Sequence, residues 1–236
     1  MIRQSFFFIF LIVFAFRSNA SSSLDSLMTD LEKGINYFKE EMFHLNLNIQ
    51  VADTKGKNLE PERSMDILGN KGELSVRSGS NLFLYSKRFT LNVNFEKRSI
   101  VLNEPQEQTN LLSLNAMLDS SFIEQIAEIK IQRDSAGNKF YQVSFLPGYH
   151  CIMWKIGFSR NQNRVLSTEL SLVQIQQDGT DRQINFSNYY RYQEINEPEK
   201  LALQITGNQF VQKSRGNYIP RKEYSSYAFY NYLKLN

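Results

Sequence analysis

The sequence predicts a mainly β protein with some helix, an α+β chain whose antiparallel sheet curves under helical cover. Three observations lead there. One segment has clean helical periodicity, and it runs directly into a segment that alternates with period two. The remaining chain breaks into short alternating runs separated by turn residues. Strands and helices do not alternate regularly, which argues against a parallel α/β sheet, and no repeat of 20–50 residues is present. The chain has 236 residues, 42% of them apolar and 22% charged, which excludes a disordered or collagen-like polymer.

Residues 1–20 read as a secretory signal. Arg3 supplies the positive start, and Phe6 to Phe16 is an unbroken apolar run. Small residues at Ser18 and Ala20 suit a cut after Ala20. The apolar run is shorter than the roughly 20 residues that span a bilayer. With Arg3 and Arg17 removed, the net charge falls from +3 to +1, so no nucleic-acid partner is implied. A lipid anchor needs a cysteine after the cut, and Ser21 stands there. The expectation is a soluble, periplasmic, monomeric chain with a single domain over residues 21–236.

The mature chain opens with a helix whose stripe is Leu24, Leu27, Met28, Leu31, Ile35, Phe38 and Met42. Ser22 or Ser23 caps it and Asp25 favours its dipole. From Phe43 to Val51 every odd residue is apolar and every even one polar, the pattern of a strand with one buried face. A turn at Asp53-Thr54-Lys55-Gly56 follows. Strands are then expected at Ser64–Leu68, Glu73–Arg77, Leu82–Tyr85, Thr90–Phe95 and Ser99–Leu102. A polar linker holds Pro105, and a short helix is expected around Leu111–Ala127. Hairpins are expected at Glu128–Gln132 with Lys139–Phe145, and at Val165–Gln176 with Arg182–Tyr190 about Asp178-Gly179. Pro147-Gly148 turns the chain into Tyr149–Phe158, and Tyr224–Leu233 reads as a last strand. The total is ten or eleven strands.

Few residues offer chemistry. His44 falls on the polar side of its strand, where it should face solvent. His150 adjoins Cys151, but strand neighbours point to opposite faces, so the two do not form a nucleophile–base pair. One cysteine and two distant histidines give no metal-ligand spacing, and Asp178–Asp181 lacks the closing glutamate of a calcium loop. Asn185-Phe186-Ser187 matches a glycosylation acceptor but falls inside an expected strand. No catalytic residue, cofactor or metal is expected, and the chain does not read as an enzyme. Tyrosines crowd the C-terminal part, as cross-strand packing or as an aromatic surface for a partner or glycan. The apolar faces admit two readings, a filled core or a pocket for an acyl chain. In the second, Phe43, Leu45, Leu47, Ile49, Val51, Leu91, Val93, Phe95, Ile152, Trp154 and Ile156 line the pocket.

The order of elements resembles the periplasmic lipoprotein-carrier family, the LolA/LolB-like proteins. The stretches that carry the resemblance are the helix Leu24–Phe38 running into Phe43–Val51, and the late hairpin Val165–Leu170 through Asp178-Gly179 to Gln183–Ser187. Leu82-Phe83-Leu84-Tyr85 replaces the family's usual tryptophan, and the tail after Pro198 lies outside the match. The resemblance implies a half-open β-barrel lidded by helices over an apolar cavity. It also implies a non-enzymatic carrier or chaperone for a lipid acyl chain or lipoprotein. The alternative is a cell-envelope accessory protein with a filled core that binds a protein partner.

Overall fold

The computed structural model describes residues 22–105, 120–175 and 181–233. The signal-like segment, most of the expected Leu111–Ala127 helix and the Asp178-Gly179 turn lie outside these residues. Among the described residues there are fourteen strands, three α-helices and one 3₁₀ turn. Helix α1 covers 22–40. Strands β1 (Phe43–Asp53), β2 (Arg63–Asn70), β3 (Glu73–Ser78), β4 (Asn81–Tyr85), β5 (Thr90–Asn94) and β6 (Ser99–Asn103) follow. After α2 (Ser120–Ile123) come β7 (Ile126–Arg133), β8 (Lys139–Phe145), β9 (Cys151–Phe158), β10 (Val165–Ile175) and β11 (Asp181–Tyr192). The chain ends with α3 (Pro198–Ile205), β12 (Val211–Ser214), β13 (Asn217–Pro220) and β14 (Ala228–Asn231). Hydrogen bonding links twelve strands in the order β14-β6-β5-β4-β3-β2-β1-β11-β10-β9-β8-β7, and β12 pairs with β13 apart from them.

The mainly β class and the open, non-closed sheet match the expectation. Two details differ. The helix expected to reach Ala127 gives way to β7 at Ile126, where the chain enters a ladder with β8 that continues to Arg133 and Lys139. The last strand is shorter than expected and pairs parallel with β6, Tyr230 opposite Val101. A 3₁₀ turn at Lys222–Tyr224 takes the start of the expected strand.

The described residues divide into two compact units, and α1, β1 and β11 contribute to both. The first draws on residues 22–34, 51–59, 120–175 and 181–187. Its core is one sheet face that carries Tyr141, Val143, Trp154, Ile156 and Phe158, all buried, with Leu27 and Leu31 of α1 buried in the same unit. Register explains the shared face, since Tyr141 pairs with Ile156 and Val143 with Trp154. Gly34 allows close contact, because a Cβ there would lie 3.2 Å from both Phe158 and Val165. Phe122 of α2 packs edge-on against Trp154, with ring centroids 5.9 Å apart.

A polar clamp pins the first half of α1 to β8. Ser26 and Asp30 stand one helical turn apart, and Lys139 and Tyr141 share a strand face, so two short spacings meet. Lys139 Nζ donates to Asp30 Oδ2 at 2.8 Å and to Ser26 Oγ at 2.7 Å. The Tyr141 hydroxyl donates to Asp30 Oδ2 at 2.6 Å and lies 2.9 Å from Ser26 Oγ. Burial, and then the Asp30 carboxylate, hold the Tyr141 hydroxyl above its ordinary 10.0. Burial works against the Lys139 charge, but hydrogen bonds to Asp30 and Tyr141 outweigh it and hold Lys139 above its ordinary 10.5. Both groups bind their protons more tightly folded than unfolded. Their stabilisation is therefore complete below about pH 10 and is lost as pH rises through the folded-state values. Asp30→Ala should cost about 2–3 kcal/mol near neutrality. Thermal melts from pH 8 to 11 should show a smaller alkaline loss in the variant than in the parent chain. An equal loss in both would contradict the clamp.

The second unit draws on residues 35–50, 60–105 and 188–233. Cross-strand partners share a face, so register fixes which side chains lie together. One row is Leu45, Ile67, Val76, Phe83, Asn92, Val101 and Tyr230. The adjacent row is His44, Leu68, Ser75, Leu84, Leu91 and Leu102, on the opposite face. The core changes face along the sheet. On β1 to β3 most buried side chains, Phe43, Leu45, Leu47, Ile67, Leu74 and Val76, lie on the first face, with Leu68 and Ser75 buried on the other. The end of α1 adds Phe38 there, with its ring 5.1 Å from Phe43. On β4 to β6 the fully buried residues lie on the other face. Leu82, Leu84, Leu91, Val93, Ile100 and Leu102 form a cluster with Phe89, Phe210 and Val211, and each is 3% exposed or less. Tyr218, Tyr224, Tyr227 and Phe229 of the tail pack against it, which accounts for these three C-terminal tyrosines as packing, whereas Tyr189, Tyr230 and Tyr232 are exposed.

Candidate functional site

The residues expected to line one pocket fall in both units, and those of the second unit lie on two faces of its strands. Phe43, Leu45 and Leu47 are buried on the α1-covered face, and Ile49 and Val51 are half-buried at the far end of β1. Leu91 and Val93 lie on the opposite face of the second unit, under Phe210 and Val211. Phe95 is half-buried on that side, between Phe210 at 6.2 Å and the Arg77 guanidinium at 5.4 Å. Trp154 and Ile156 are buried in the core of the first unit. Ile152 is 38% exposed, because a bulge intervenes. Ser171 pairs with Met153 but Leu172 pairs with Cys151, so Ile152 is the extra residue and the parity of β9 changes there.

Two other places in the second unit carry features that composition and spacing do not reveal. The first is a cleft of about 480 Å³ beside β1, β2 and α3. Its lining includes His44, Asp66, Leu68, Glu194, Glu197 and Lys200. His44 does not simply face solvent: its Nε2 lies 2.7 Å from Asp66 Oδ1, and its side chain is 22% exposed. Asn46 Nδ2 donates to the same oxygen at 2.9 Å, and Gln193 Nε2 donates to Asn46 Oδ1 at 2.6 Å. The Gln193 N–H also bonds the His44 carbonyl at 2.8 Å. Among the described residues that line the cleft there is no serine, threonine, tyrosine or cysteine. The signal for α3 was Pro198 at a helix start with Leu201 and Ile205 one turn apart. The His44–Asp66 pairing leaves no local sequence signal at all.

The second place is the face of β3 to β6 and β14 that turns away from the Leu91 cluster. Register puts Ser78, Asn81, Asn94, Ser99 and Ala228 in one row and Val76, Phe83, Asn92, Val101 and Tyr230 in the next. The third row is Leu74, Tyr85, Thr90 and Asn103. None of these residues is charged. Phe83, Tyr85, Asn92 and Val101 are half-buried, and Tyr230 is 49% exposed at the sheet edge. Asn94 Nδ2 donates to Asn81 Oδ1 at 2.8 Å. The Asn92 carboxamide oxygen is buried and has no hydrogen-bond donor among the described residues. Such an arrangement presents apolar and neutral polar contacts together and no ion-pairing group.

Cys151 is buried, and desolvation pushes its thiol up to about 11 against a weak hydrogen bond toward the Met153 carbonyl. His150 is exposed. At pH 8 the thiol should resist iodoacetamide in the folded protein and react on unfolding, as read by mass spectrometry. Rapid labelling of folded protein would contradict the burial. Asn185 lies within β11 with a buried carboxamide oxygen, unlike a surface-loop glycosylation acceptor. Among the described residues no group of three or more His, Cys, Asp or Glu is placed to hold a metal ion. No described helix is long and apolar enough to cross a membrane.

No family model matches the chain, and no curated protein matches it. Solved structures do. An uncharacterized conserved protein from Thermus thermophilus is similar over 87% of this chain and 99% of its own, at 10% identity and a TM-score of 0.41. A LolA superfamily protein from Nitrosomonas europaea is similar over 74% and 96%, at 10% identity and a TM-score of 0.31. A DUF1329 family protein from Desulfovibrio piger is similar over 75% and 94%, at 8% identity and a TM-score of 0.29. At these values the functional reading rests on this chain's own residues.

Proposed function

We propose that the protein is an exported, periplasmic, non-enzymatic carrier or chaperone. It acts as a monomer and seats an acyl chain, free or on a lipoprotein, against the uncharged face of β4 to β6. The observation that supports this reading is that face itself. Phe83 and Val101 are apolar yet only half-buried, and no charge interrupts the rows around them. An acyl chain laid there gains roughly 25 cal/mol per Å² of apolar area removed from water. The filled cluster around Leu91 and Val93 supports the other side of the strands, the side that also carries Leu45 of the expected lining, as the one that takes the ligand.

That same filled cluster favours a second reading, an envelope accessory protein that binds a protein partner by a surface patch. Native mass spectrometry of protein purified from its host separates the two. A co-purifying lipid mass supports the carrier. A bare chain mass, with a defined protein captured in its place, supports the accessory role.

A further inference from the structure

We infer that the cargo is a neutral amphiphile whose head carries hydroxyl or amide N–H groups, of the glycolipid kind, and that Asn92 receives the head. This rests on the carrier reading and names its ligand class. Asn92 stands in the middle of its row, with Phe83 on one side and Val101 on the other. Its buried oxygen accepts nothing from the described residues, and an unmet buried acceptor costs about 1–3 kcal/mol. A ligand donor that displaces the side chains covering this oxygen and bonds to it removes that cost. A fatty-acid carboxylate or a phosphate head cannot supply the donor when ionised, and the described residues of these rows include no lysine, arginine or histidine to meet its charge. An ammonium head finds no carboxylate there. Tyr230 ends the same row beside Val101, half exposed, with a ring face on which a sugar ring can lie.

The test is displacement of N-phenyl-1-naphthylamine, an uncharged apolar fluorophore, from the full mature chain. The competitors are octyl glucoside and octanoate, both below their micelle concentrations. Octyl glucoside should displace the probe at least about tenfold more strongly than octanoate, the worth of one buried hydrogen bond. Asn92→Leu should weaken glucoside competition by about tenfold while the fluorophore still binds. Tyr230→Ala, at the exposed edge where folding is spared, should weaken glucoside competition as well. Equal competition by octanoate and glucoside, or unchanged glucoside competition in both variants, overturns the neutral-head inference and leaves the carrier reading standing. Failure of the fluorophore to bind the parent chain overturns both.

Discussion

Leu91→Glu should unfold the second unit. Leu91 is fully buried in a cluster whose members are each 3% exposed or less and all apolar. An unpaired buried charge places the variant among the most damaging substitutions, a loss above about 4 kcal/mol. Circular dichroism and urea titration should show loss of the cooperative transition. Phe83→Glu is the control, since Phe83 is half-buried and faces the other way. It should keep the fold, with melting shifted by only a few degrees, on the order expected for about 1 kcal/mol. A folded Leu91→Glu chain with near-parental melting would contradict the packing of the tail on this side of the strands.

Gly69→Ala should cost about 3 kcal/mol, the upper end for overpacking a core. Phe43 pairs directly with Gly69 across β1 and β2, and its ring covers the bare glycine backbone. A Cβ at Gly69 would lie 2.1 Å from that ring, so the ring must leave its contact with Phe38. Phe140 covers Gly157 in the same manner on β8 and β9, with a Cβ distance of 2.6 Å. A double-mutant cycle of Gly69→Ala with Phe43→Leu should give a coupling of about 1–2 kcal/mol, because the smaller side chain relieves the clash. Additive effects would show that the two residues do not press on each other.

Local structure was legible wherever one residue and its near neighbours decide it. The alternation of Phe43 to Val51 placed β1, and the short apolar runs placed β2 to β6 within a residue or two. The Asp53 and Asp134 turns were legible because each aspartate accepts hydrogen bonds from backbone within four residues, with glycine at positive φ. Properties that depend on register were not legible. Alternation separates the two sides of one strand but does not say that Leu91 and Leu45 end on opposite sides of a shared sheet. The bulge at Ile152, the Phe43–Gly69 pair and the His44–Asp66 contact are all decided by residues of other strands. The parallel pairing of β14 likewise depends on Ser99–Leu102, more than a hundred residues earlier. The uncharged face was hidden for the same reason: Phe83, Asn92 and Val101 become neighbours only once three strands are aligned.

The most direct test of the account is a titration of N-phenyl-1-naphthylamine into the mature chain and its Phe83→Glu variant, each first shown to be folded by circular dichroism. The parent should give a saturable fluorescence rise, and the variant should lose at least about tenfold in affinity because a charge now sits among the uncharged rows. A folded Phe83→Glu chain that binds the probe as well as the parent would contradict the assignment of this face as the binding site.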